Sequence, residues 1–165
     1  MIKKIGLNVL AIIIGLITSI SIESELRQLI QTLFKTLTSN AIHFYSKDFH
    51  LFASAYYYIS FGLLFLIVWT SWTNLTARQK ILNGLTTLVI FFLSLTAVSW
   101  LDSNRMIVEC TACNDGTRGI HYNDINYDGI ITLSLIISII PTGLRLLRRK
   151  PPAHNNVFAP GGAEV

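Results

Sequence analysis

Four stretches of this chain, Ile5 to Ile22, Leu51 to Trp72, Ile81 to Leu101 and Gly129 to Leu144, contain no Asp, Glu, Lys, Arg or His. Each is about 16 to 22 residues long, which is what an α-helix needs to cross roughly 30 Å of hydrocarbon. The fourth is the shortest. Arg145 can snorkel to the interface and let that helix continue through Leu146 and Leu147. No other feature narrows the fold as much, because inside a bilayer a backbone that is not helical or closed into a barrel leaves its polar groups without partners.

Composition agrees. Apolar residues make up 52% of the 165 and charged residues 13%, about half the charge that covers a water-soluble domain. The expected fold is an all-α integral membrane protein. Residues 1–150 form a four-helix transmembrane domain, with helices near 5–22, 51–72, 77–101 and 129–147. Outer loops cover 23–50 and 102–128, and a tail covers 151–165. Met1-Ile2-Lys3-Lys4 before the first run also has the form of a signal-peptide n-region, but with the chain starting at Met1 we read that run as a retained helix.

Charge sets the expected orientation. Eight cations and one acid, Glu164, fall beside the termini and the short middle loop, against five cations and eight acids in the two long loops. By the positive-inside rule both termini and the middle loop are cytoplasmic and the long loops face outward, in a membrane of the bacterial inner-membrane type. The overall +4 is thus a topological signal, and no nucleic-acid partner is implied. Local signals mark the ends. Thr76-Ala77-Arg78-Gln79 reads as a capping box for the third helix, and Pro141 lies inside the fourth run.

Helix packing should use small residues. Ala11, Gly15 and Ser19 recur every fourth residue on the first helix, and Ser134, Ser138 and Thr142 do so on the fourth, two stripes suited to helix packing within the bundle or against another subunit. In the first outer loop Leu26, Leu29, Ile30, Leu33, Phe34 and Leu37 share a helical face, with Glu25, Arg27, Gln28, Gln31 and Lys35 on the other, which predicts a separate amphipathic helix.

The second outer loop holds most of the chemistry-bearing residues. Met106 to Val108 and Gly119 to Tyr122 flank the turn signal Asn114-Asp115-Gly116, predicting a small hairpin-like cap. Cys110 and Cys113, the only cysteines, admit three readings. They form a disulfide tightening the cap, a redox dithiol, or a metal site with His121 and either Asp115 or Asp124. Four helices with Cys110-Thr-Ala-Cys113 outside resemble the bacterial quinone-linked thiol oxidases and the vitamin K epoxide reductases. Membership would imply thiol-disulfide exchange at this pair. Those families relay electrons through a second cysteine pair, which this chain lacks.

Asp124-Ile-Asn126-Tyr-Asp128-Gly129 has the form of the first half of an EF-hand or dockerin loop. It would place calcium on Asp124, Asn126, Asp128 and the Ile130 carbonyl, with a further acid such as Asp115 or Glu109. Position 12, the acid that should close the loop, is Leu135. The alternative is that Asn126 or Asp128 caps the fourth helix and the others form Asx turns.

The four runs contain no intramembrane acid, base or histidine, the residues that carry proton relays and ion pathways. The gaps hold no P-loop, serine elbow or zinc-protease motif. The leading functional reading is a non-catalytic accessory or stabilising subunit whose partners are the lipid bilayer and a larger membrane assembly. The alternatives are a membrane thiol-disulfide oxidoreductase using the outer Cys-x-x-Cys and a homo-oligomeric channel lined by Ser134, Ser138 and Thr142. The charge asymmetry makes a direct prediction: a membrane-impermeant maleimide applied to intact cells after reduction labels Cys110 and Cys113. Labelling by a permeant reagent alone reverses the orientation.

Overall fold

The computed structural model describes residues 2–38, 42–45, 53–72, 75–108 and 118–147. They form α1 (Ile2–Thr38), β1 (Ile42–Tyr45), α2 (Ala55–Trp72), α3 (Ala77–Val108), β2 (Arg118–His121), a 3₁₀ turn (Tyr122–Asp124) and α4 (Tyr127–Leu147). All four α-helices are long and apolar enough to cross a membrane, so the chain is a multi-pass membrane protein. They run up, down, up and down. Contacts connect α1 with α2, α2 with α4, α4 with α3 and α3 with α1. The helices therefore form a ring in which α2 and α3, consecutive in sequence, stand on a diagonal.

Two expectations from the outer loops are corrected. The amphipathic segment after Ile22 is not a separate helix, because α1 continues without a break for 37 residues, about 55 Å at 1.5 Å per residue. Nothing between Ile22 and Leu37 is Gly or Pro, and Glu23 pairs with Arg27 one turn on. The helix therefore has no local reason to stop. Nor do Met106 to Val108 form a hairpin strand. They are the last turn of α3, which extends 32 residues. The strand at Arg118–His121 pairs instead with β1 from the first connection, in parallel register, with Phe44 opposite Ile120 and Tyr45 opposite His121. A parallel pair cannot be closed by a tight turn, so the chain segment joining these two strands is the α2–α3 part of the bundle. Asn114-Asp115-Gly116, Cys110 and Cys113 lie outside the described residues, as does the 151–165 tail. α2 starts at Ala55 rather than Leu51, and α4 at Tyr127.

The core lies toward the ribbon end. Ile30, Phe34, Tyr57, Leu95, Ile131 and Leu135 are buried there, with Phe44 of β1 stacked on Tyr122 at 5.3 Å and edge-on to Phe34 at 6.5 Å. Nearer the other end the helices meet through small residues. Ala11, Gly15 and Ser19 are all buried, and a Cβ on Gly15 would sit 2.8 Å from the Phe61 carbonyl oxygen. On α4, Ser134, Ser138 and Thr142 are buried as well. The Ser134 and Ser138 hydroxyls donate to the carbonyls of Ile130 and Leu135, and Thr142 faces Thr87 of α3 at 3.5 Å. Residues facing outward, such as Ile17, Ile20, Leu85 and Leu93, are apolar and more than half exposed, as lipid contact requires.

A paired substitution tests the close approach of α1 and α2. Gly15→Ala, blocked by backbone, should lower stability in mixed micelles by about 1–3 kcal/mol. Gly143→Ala, whose added Cβ meets nothing within 4 Å, should be neutral or slightly stabilising. Denaturant titration followed by circular dichroism measures both.

Candidate functional site

The polar groups of the described chain concentrate at the ribbon end. Arg27 projects from α1 into the seam between helices and is 7% exposed. Its Nε donates to Glu23 Oε1 at 3.2 Å, and its Nη2 lies 3.5 Å from Asp128 Oδ1 on the first turn of α4. The guanidinium also covers the Tyr127 ring at 4.9 Å. Asp128 Oδ2 accepts the Ser54 backbone N–H at 2.6 Å, just ahead of α2. Glu23 Oε2 accepts from the Tyr58 hydroxyl at 2.9 Å, and that hydroxyl accepts from the Ala53 N–H at 3.3 Å.

A second chain of bonds continues beside it. Gln31 donates to the Tyr127 hydroxyl at 3.0 Å, which donates to the Tyr122 carbonyl at 2.8 Å. The Tyr57 hydroxyl donates to the Ser19 carbonyl at 2.9 Å. One guanidinium thus bridges two carboxylates, and each carboxylate accepts from a further donor. Asp128 also lies where the positive end of the α4 dipole favours a negative group. Such pairing is what a buried charge requires.

The half calcium loop divides its side chains among separate tasks. Asn126 Oδ1 accepts the Gly129 N–H at 3.0 Å and so caps α4. A Cβ on Gly129 would come within 2.5 Å of that amide, which explains the glycine. Asp124 Oδ2 accepts the His121 N–H at 3.0 Å while His121 Nδ1 accepts from Asn123 N at 3.3 Å, a reciprocal box on the 3₁₀ turn. Asp128 faces Arg27 and Ser54. The Ile130 carbonyl, inside α4, takes the Ser134 hydroxyl. Among the described residues no three His, Cys, Asp or Glu side chains come together in a way that would hold a metal.

Between this network and the surface lies a cavity of about 300 Å³, lined by Arg27, Ser54, Tyr56, Asp124, Asn126 and Asp128 among others. At the opposite end Arg145 donates to Asn83 Oδ1 at 2.9 Å, and Asn83 reaches Ser71 Oγ at 3.5 Å, joining α4, α3 and α2. Thr76 and Gln79 make both bonds of the capping box at the start of α3.

Sequence reasoning placed Arg27 on the solvent side of an amphipathic helix. In the structure the buried stripe of α1 is Leu26, Arg27, Ile30, Phe34 and Thr38. The available signal was the Glu23–Arg27 spacing in phase with Ile30 and Phe34. The acceptor Asp128, a hundred residues away, had no sequence mark linking it to Arg27.

Compared with protein-family models, curated proteins and solved structures, the chain matches none.

Removing the guanidinium leaves the buried Asp128 and the largely buried Glu23 without their shared cation. Arg27→Leu should therefore cost about 3–5 kcal/mol of stability. Arg27→Lys keeps the charge but cannot reach both partners with a rigid fork, so its loss should be smaller. Thermal unfolding in detergent compares the two.

Proposed function

We propose that this protein is a non-catalytic accessory or stabilising subunit of a larger membrane assembly. Both termini are cytoplasmic, and the ribbon end, with the Cys110–Cys113 pair closed as a disulfide, lies on the outer side. The observation that carries this reading is how the polar side chains are used. The Glu23–Arg27–Asp128 network, Tyr57, Tyr58 and the Ser71–Asn83–Arg145 chain all join one helix of the bundle to another. Catalysis needs such groups turned toward a substrate; here they hold the chain to itself.

Two further facts support a docking role. α1 and α3 are about 55 and 48 Å long against roughly 30 Å of hydrocarbon. They therefore carry a ribbon-capped platform beyond the membrane. The positive-inside asymmetry, with eight cations beside the termini and middle loop, supports an outer position for that platform.

The test is purification of the tagged chain from its own membranes in mild detergent, beside a strain lacking it. The expected result is a set of membrane proteins that co-purify in fixed stoichiometry and fall in abundance when the chain is absent. A lone four-helix unit whose loss leaves other membrane proteins unchanged would overturn the proposal. So would a mixed disulfide trapped in Cys110→Ala or Cys113→Ala, which marks thiol-disulfide exchange.

A further inference from the structure

We propose that the α2–α4 face is a binding site for one zwitterionic, amine-bearing phospholipid, its headgroup in the polar cavity at the ribbon end and its acyl chains in the groove below. This face carries two kinds of surface in the order in which a phospholipid presents its parts. At the ribbon end is the 300 Å³ polar cavity. Directly below, and sharing Tyr56 with it, an apolar groove of about 500 Å³ runs between the two helices past Leu63, Ile67, Ile136 and Ile140. α2 and α4 start at the same end, and the groove follows eleven steps along each, from Tyr56 to Ile67 and from Thr132 to Gly143. That is about 16 Å, the depth of one leaflet.

Charge selects the headgroup. The cavity is lined by one cation, Arg27, and two acids, Asp124 and Asp128. Arg27 and Asp128 face each other, whereas Asp124 is exposed and accepts from a backbone N–H. An ammonium group is matched to that carboxylate. A headgroup with a net negative charge is repelled by it.

The proposal stands apart from the accessory-subunit reading, since its readout is lipid and needs no partner. The full chain is reconstituted in vesicles of equal phosphatidylethanolamine and phosphatidylglycerol, extracted in mild detergent and weighed by native mass spectrometry. One retained phospholipid is expected, with phosphatidylethanolamine favoured about threefold, the size of one exposed charge pair. Asp124→Asn, which keeps the acceptor for His121, should bring that preference to about one. Ile136→Trp should abolish retention, and Gly143→Leu, projecting into open space, fills the groove if the tryptophan variant does not fold. Absence of retained lipid, equal retention of the two headgroups by the unmodified chain, or retention unaffected by the groove-filling variant would overturn the proposal. A photo-crosslinker at Leu63 that captures polypeptide in place of lipid would do the same.

Discussion

The arrangement of this bundle depends on giving one buried guanidinium enough partners. Arg27 sits in the seam among α1, α4 and the segment leading into α2, where an unpaired charge would cost several kcal/mol. Glu23 from its own helix supplies one carboxylate and Asp128 the other, while Ser54 N–H and the start of α4 hold Asp128 in place. Satisfying Arg27 therefore fixes where α4 begins relative to α1 and how the chain enters α2. The aromatic cluster of Phe34, Phe44, Tyr122 and Tyr127 packs around the same point, so charge pairing and apolar burial reinforce one geometry.

Away from that end the physics changes. Lipid offers nothing to a hydroxyl, and Thr18, Ser21, Thr86 and Thr96 all donate to carbonyls of their own helix one turn back. Helix association then relies on close approach, as at Gly15 against Phe61 and Gly62. The far end is tied again by a polar chain, from Arg145 through Asn83 to Ser71. Two polar clasps enclosing a small-residue middle let four helices of unequal length keep one register. The unequal length is itself useful, because the surplus of α1 carries Phe34, which packs edge-on against Phe44 of the β1–β2 ribbon.

Much of this was legible in the linear chain. Uncharged runs of bilayer length specify four helices, because hydrocarbon forbids unpaired backbone whatever the tertiary fold. The Thr76–Gln79 box and the capping role of Asn126 are local hydrogen-bond patterns within three residues, and both are present in the structure. The i, i+4 stripes of small residues admit packing within the bundle or against another subunit; in the structure all six of these residues are buried.

What remained hidden was non-local. A continuous α1 and a separate amphipathic helix have the same periodicity, so a sequence cannot say whether the junction at Ile22 bends. β2 has the composition of a strand, but its partner 76 residues earlier is chosen by the bundle that brings the two connections together. Arg27, read singly, is a surface cation. Only the packing of the bundle, in which the first turn of α4 reaches across to α1 and brings Asp128 to within 3.5 Å of it, turns it into the centre of the seam. The sequence by itself determined that this chain crosses a membrane four times, because that follows from burial of each segment taken alone. The tertiary structure decided which polar groups meet, because in a chain with so few charges each pairing depends on where the other helices stand.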